Sequence, residues 1–307
     1  MRAVASVLAA CSALAAGLAA APAVAWFTDG HAMVAAAAAE ALPPEVPAFF
    51  RDGSATIAHL SVDPDVMKAR ETPQLRAQES PEHYLDLELL RGSELPADRY
   101  EYLEMLQRLE VDPAQVGMLP YAVIEGLQRL TLAFAEHRRW PQDPDVRTKA
   151  LVYAGLLAHY AGDLVQPLHT TIHHDGRLLP DGKSPHTGIH QRVDALLERT
   201  RFDRSRALAG IRCQAFADPW QAILAQLAAS HGLVDETYRL ETQLLPPEEG
   251  ASSSPQVTAF AAARYRDAVS FLASLYRTAW ERSAPIELPS WLDRAPTAVT
   301  GSTRSRP

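Results

Sequence analysis

Apolar residues recur here at every third or fourth position, in stretches punctuated by proline, and no stretch sustains period-two alternation. That pattern limits the chain to an all-helical (all-α) fold, because a half-buried strand needs apolar residues at every second position. From Leu119 to Arg138, Val123, Leu127, Leu130 and Phe134 predict one buried stripe. Asp143-Pro144 supplies a helix start, and Gln166-Pro167 ends that helix after Val165, since proline lacks an N–H and crowds the preceding turn. The alanine-rich segment from Trp26 to Leu42 stops in the same way at Pro43-Pro44. His190 to Arg199, Pro219 to Ala229 and Gln256 to Arg282 complete the expected helices, the last with Val269, Leu272 and Tyr276 in its stripe. Breaks fall at Asp112-Pro113, at Pro246 to Pro255 and after Pro289. The expectation is one helical domain over residues 26–292. The Thr/Ser/Arg/Pro-rich tail, 293–307, is expected to be disordered.

Residues 1–25 read as an export leader. Met1-Arg2 is followed by small and apolar residues from Ala3 to Ala20, and Ala23-Val24-Ala25 gives a signal-peptidase pattern that places the cut before Trp26. Leu8-Ala9-Ala10-Cys11 resembles a lipoprotein cleavage site and offers an alternative, a chain anchored through an acylated Cys11. The apolar run before Cys11 is short, which favours the cut at Trp26. A secreted or periplasmic monomer is therefore expected, with no integral membrane segment after cleavage. Loss of Arg2 with the leader takes the formal net charge from −8 to −9. A chain so acidic does not hold duplex DNA by long-range attraction. A phosphate-bearing substrate must instead be drawn by local positive charge, which bound metal supplies. Of the two cysteines only Cys213 remains, so no intrachain disulfide forms, and a domain of this length needs none.

The chemistry is concentrated in a few short runs. His159 and Asp163 lie four apart, on one face of a helix, where an imidazole and a carboxylate can hold one cation without backbone strain. A lone H-x-x-x-D pair is more often a packed histidine and a solvated aspartate. Here, however, Gln166-Pro167-Leu168-His169 follows directly, and His190 to Asp194 repeats the spacing. His169, His190 and Asp194 offer two nitrogens and one carboxylate, the donor set of an open zinc site with room for water. His83 lies in the run Pro81 to Asp86; alone, it reads as structural. His173, His174 and His186 fall in a polar loop as bystanders, although His186 competes with His190 through H-x-x-x-H spacing. His31 lies five residues after Trp26. A metal could readily displace the proton of a free α-amino group at Trp26, and that nitrogen with its carbonyl oxygen would form a compact chelate that His31 could join.

Taken in order, these runs resemble a superfamily containing the fungal and plant single-strand-specific nucleases and the bacterial zinc-dependent phospholipases C. The resemblance covers Trp26 to about Asp194. It comprises W-x-x-x-G-H-x-x-V-A from Trp26 to Ala35, an isolated aspartate, H-Y-x-D at His83, H-Y-x-G-D-x-x-Q-P-L-H from His159 to His169, and H-x-x-x-D from His190 to Asp194. It implies an all-helical fold with three zinc ions (Zn2+) in one cleft. Carried over, His83, His159, Asp163 and an upstream aspartate would hold the first ion. His169, His190 and Asp194 would hold the second. Trp26, through its terminal nitrogen and carbonyl, would join His31 and a bridging Asp163 at the third. Asp63 and Asp65 both qualify upstream; Asp65 is preferred because a basic residue, Lys68, follows three positions later, and His59 is a nearby distractor. Asp65 would also orient or deprotonate the nucleophile, and Tyr84 and Asp86 match positions near the substrate pocket.

The implied activity is phosphodiester hydrolysis, with single-stranded nucleic acid or nucleotides preferred and phospholipid headgroups as the alternative. The loop between His169 and His190 lacks the Gly-Gly-Asn run of the fungal nucleases, which sets their nucleotide pocket apart from this one. The five-residue spacing from Trp26 to His31 matches the nuclease branch. A non-catalytic zinc-binding exported protein is the reading from a different class.

Overall fold

The computed structural model describes residues 26–244 and 254–292. The leader, the Cys11 alternative, the tail and most of the break before Pro255 lie outside them. The chain is all-α and forms one domain, and no strand occurs among the described residues. The sole pairing of β type there is an isolated antiparallel bridge between Leu85 and Gly117.

At the centre lies the helix Pro144–Val165. Asp143 caps it by accepting from the N–H groups of Asp145 (2.9 Å) and Val146 (3.3 Å). Pro144 occupies the first turn, where no N–H is needed. The helix ends where Pro167 forbids continuation, and His169 then sits on a single 3₁₀ turn, Pro167–Thr170. Helices Leu119–Arg139, Thr28–Glu40, Ser54–Leu60 and Pro255–Arg282 pack around the central one. Val123, Leu127, Leu130 and Phe134 form the expected buried stripe, as do Val269, Leu272 and Tyr276. The Tyr276 hydroxyl donates to the Ala154 carbonyl at 2.9 Å, so this large side chain is buried with its polar atom satisfied. Small residues let the helices approach closely: a Cβ at Gly155 would lie 2.4 Å from the Cβ of Leu60.

Two expected helices differ in outline. The first begins at Thr28 rather than Trp26, because Phe27 is extended (ψ 164°) and its N–H donates to the Asp194 carbonyl at 3.1 Å. That bond removes Asp194's carbonyl from its own helical ladder, and the segment expected over 190–199 divides at Ala195 into Ile189–Asp194 and Leu196–Arg199. The short helices Asp63–Met67, Pro73–Glu79 and Arg99–Leu109 went unread in the sequence. No helix among the described residues is long and apolar enough to cross a membrane. Cys213 is a free thiol.

Candidate metal centre

Each half of the centre comes from a helix and the loop that answers it. On the central helix, His159 and Asp163 are fully buried one turn apart. His83 enters from the 3₁₀ turn Ser80–His83, and Asp65 from the short helix Asp63–Met67. The ligating atoms converge: His159 Nε2 lies 2.9 Å from His83 Nδ1 and 3.4 Å from Asp163 Oδ2. His83 Nδ1 lies 3.1 Å from Asp163 Oδ2, and Asp65 Oδ1 stands 3.8 and 3.9 Å from His159 and His83. Lys68 Nζ pairs with Asp65 Oδ1 at 2.6 Å.

The second half comprises His169, His190 and Asp194. The Nε2 atoms of the two histidines face each other at 3.1 Å. Asp194 offers Oδ2 to His190 at 3.3 Å and Oδ1 to His169 at 3.8 Å. Three groups of three could thus each hold a cation: His31 with His159 and Asp163, Asp65 with His83 and His159, and His169 with His190 and Asp194.

The first two of these groups share His159, and Asp163, which belongs to the first, reaches His83 of the second. Its Oδ2 faces His83 and His159, while its Oδ1 faces His31 Nε2 at 3.3 Å. The His31 ring stacks on that of His159, with centroids 4.0 Å apart and planes at 18°. Trp26 fixes this corner: it is fully buried, and its indole N–H donates to the Gly162 carbonyl at 2.9 Å. A side chain at Gly162 would crowd this corner, since a Cβ there would lie 3.0 Å from His31 Nδ1 and the His31 ring would have to give by a few tenths of an ångström. Glu198 closes the start of the first helix by accepting from the N–H groups of Asp29 and Gly30 at 2.9 and 3.2 Å.

The donor chemistry fits a first-row transition-metal ion, zinc among them. A tetrahedral ion with bonds of about 2.0–2.1 Å separates its ligand atoms by roughly 3.3 Å. The separations within the first and second sets, 2.9 to 3.9 Å, bracket that value. In His159 and His169 the Nδ1 proton is donated to a backbone carbonyl, of Ser61 at 2.8 Å and of His83 at 2.6 Å. In the neutral rings Nε2 therefore turns a lone pair inward. His31 Nε2 and Asp163 Oδ1 are buried and lack any hydrogen bond, an arrangement a shared cation would satisfy. Mixed imidazole and carboxylate donors suit zinc better than magnesium or calcium, which take oxygen.

Electrostatics prepare the same donors. Burial drives His159 and His190 well below the usual imidazole range, and holds His169 at about 4, so these rings are neutral and able to ligate at pH 7. Burial works against the Asp163 carboxylate, but the surrounding imidazoles of His159, His169, His31 and His83, the last hydrogen-bonded to its Oδ2, outweigh it, leaving Asp163 well below its ordinary value. Burial likewise opposes ionisation of Asp65, and His159, Lys68 and His83 overcome it. Asp194 is the exception: burial pushes it well up, and the hydrogen bond from Gln166 only partly offsets this.

Of the upstream aspartates, Asp65 joins the cluster, whereas Asp63 lies in none of the three groups. His59 is exposed, and His186, 70% exposed, faces Asp175 at 3.4 Å. His173 accepts from the Leu178 N–H, and His174 lies edge-on against His190 with centroids 5.7 Å apart. Tyr84 and Asp86 follow His83 on extended backbone pinned by the Leu85 N–H to the His169 carbonyl (2.8 Å). The Tyr84 hydroxyl donates to the Ala114 carbonyl, and the Asp86 carboxyl is pushed up to about 8 by burial and by Glu88.

Two supporting residues escaped the sequence reading. Gln166, which precedes the proline that ends the central helix, donates from Nε2 to Asp194 Oδ1 at 2.6 Å. Glu79 faces His83 Nε2 at 3.4 Å. Its spacing, four residues before His83, is a signal the sequence does carry. No protein-family model matches this chain, and no curated protein matches it.

Proposed function

We propose that this protein is an exported zinc-dependent phosphodiester hydrolase that acts on single-stranded nucleic acid or nucleotides. The observation that carries the reading is the split allegiance of Asp163, whose two oxygens face different groups of buried imidazoles. Such a carboxylate is suited to bridging two cations. In this reading His83, His159, Asp163 and Asp65 hold one ion, and His169, His190 and Asp194 a second. His31 and Asp163, with the amine and carbonyl of a processed Trp26, hold the third.

Bound zinc supplies a lowered pKa to water and charge stabilisation to phosphoryl and leaving oxygens. The chain's own residues do the rest. Asp65 is the carboxylate suited to orient and deprotonate an attacking water, because its side chain keeps 17% exposure whereas Asp163 and Asp194 are closed to solvent. Lys68, in contact with Asp65, fixes that carboxylate and adds positive charge where a phosphate must approach. The neutral rings of His159, His169 and His190 keep their donor nitrogens available at neutral pH. Tyr84 and Asp86, adjoining His83, are the residues proposed to meet the substrate beyond the phosphodiester.

The deciding experiment is metal analysis of the processed protein together with hydrolysis of single-stranded DNA, RNA and phosphatidylcholine vesicles, each with and without chelator. Three zinc ions per chain and chelator-sensitive cleavage of nucleic acid are expected. Release of phosphorylated headgroup with intact DNA would move the protein to the phospholipase C reading. Zinc without turnover would leave a non-catalytic zinc-binding protein, and chelator-resistant turnover would overturn the mechanism.

A further inference from the structure

His83 differs from the other imidazoles of its cluster in the nitrogen that it turns inward. His159 and His169 present Nε2 and anchor Nδ1 on backbone carbonyls. His83 presents Nδ1 instead, at 2.9 Å from His159 and 3.1 Å from Asp163. Its outward nitrogen, Nε2, is buried and makes no hydrogen bond at ordinary distance. The group that faces it, 3.4 Å away, is the carboxylate of Glu79.

Glu79 is itself 5% exposed, so water does not carry its charge. Its Oε1, the oxygen that faces His83, accepts the Tyr160 hydroxyl at 2.5 Å. Tyr160 directly follows His159 on the central helix, so one helix supplies both a donor nitrogen and the hydroxyl that steadies the carboxylate behind its neighbour. Helix Pro73–Glu79 ends at this carboxylate, and the next turn delivers His83 four residues later. Glu79 and Tyr160 also line a cavity of about 770 Å³ whose wall includes the paired side chains of Glu82 and Arg99. Glu79 thus stands between that cavity and the cation cluster.

We infer that Glu79, held by Tyr160, is the positioning residue that fixes His83 in the tautomer and orientation that bind a cation through Nδ1. A carboxylate behind a ligating imidazole raises its basicity and locks its ring, and losing such a partner lowers metal affinity about 10- to 100-fold. This rests on the cation site proposed above.

The cavity makes the inference testable by chemical rescue. Zinc affinity is measured by competition with a chromophoric chelator in wild type, Glu79→Ala and Tyr160→Phe. In Glu79→Ala one of three zinc affinities is expected to fall about 10- to 100-fold while the other two hold, and added formate, entering the vacated space, restores it. Tyr160→Phe, which removes only a hydroxyl, is expected to weaken the same ion less, and it decides the matter if Glu79→Ala does not fold. Unchanged affinity in either folded variant, or a loss in Glu79→Ala that formate does not restore, overturns the inference and leaves Glu79 as packing. A wild type that binds no zinc would instead refute the proposed function.

Discussion

Replacing Asp163 by Asn tests the centre most directly, since the change is nearly isosteric and removes the charge and one of the two acceptor oxygens. Asp163 Oδ1 faces His31 at 3.3 Å, and Oδ2 faces His83 at 3.1 Å and His159 at 3.4 Å. An amide keeps one neutral oxygen, which can serve one side only, and presents N–H to the other. Loss of an outer partner costs about 10- to 100-fold in affinity, so loss of a charged inner ligand sets a floor of about 100-fold, or about 3 kcal/mol, at each ion it touches. Two ions should therefore be lost from Asp163→Asn. Asp194→Asn should lose one, because both Asp194 oxygens serve the His169 and His190 pair. The assay is zinc content by mass spectrometry after dialysis against a buffered zinc level that just saturates wild type, with circular dichroism as the check on folding. Equal zinc loss from the two variants, or three ions retained in Asp163→Asn, would refute the bridging argument.

Two further outcomes follow from the same geometry. Gly162→Ala puts a methyl 3.0 Å from His31 Nδ1, so it should cost about 1–3 kcal/mol by overpacking and remove the His31 ion alone, read as a fall from three zinc ions to two with reduced urea stability. In the metal-free protein His169 should make stability fall on acidification. His169 is depressed from 6.5 to about 4, so its contribution is complete above pH 6.5 and is lost as pH drops to about 4, worth about 3 kcal/mol. His159, His190, Asp65 and Asp163 act in the same sense, whereas Asp86, raised to about 8, and His83 and Asp194, also raised, oppose it, so the His169 contribution is read by difference against His169→Gln. Urea unfolding of chelated wild type and His169→Gln at pH 7, 6, 5 and 4 checks this, and the same pH dependence in both would contradict it.

The helices that carry the core were legible because their stripes are long and their ends are marked chemically. Asp143-Pro144 and Gln166-Pro167 bound the central helix at the residues where the structure begins and ends it. The short helices around Asp65 and Glu79 were not legible, since five to seven residues hold too few apolar positions to define a face. The break at Ala195 was invisible for another reason: it follows from a hydrogen bond between Phe27 and Asp194, 167 positions apart. The candidate ligands were found as residue types at regular spacing. What spacing could not supply was the second layer: the Ser61 and His83 carbonyls that set tautomers, and the side chains of Gln166 and Glu79. Backbone carbonyls leave no trace in composition, and Gln166 was hidden behind its more obvious role beside a proline.

The acidity of the chain and the proposed phosphate chemistry are reconciled at the centre itself. A protein of formal net charge −8 repels polyanions at long range, so surface charge offers no path to a phosphodiester. Within the cluster the balance reverses. Asp65, Asp163 and Asp194 bring three negative charges, and three divalent ions at the proposed sites would leave a local excess of three positive charges. Burial of Asp163 and Asp194 keeps water from screening that excess. Attraction would then act over a few ångströms and only with metal bound, which favours a single flexible strand or a small headgroup that can enter the site over a rigid duplex that cannot. Substrate capture and catalysis would both vanish with the ions, so KM and kcat should fail together as zinc is withdrawn. An enzyme that drew its substrate with surface lysines would keep its binding after losing its turnover.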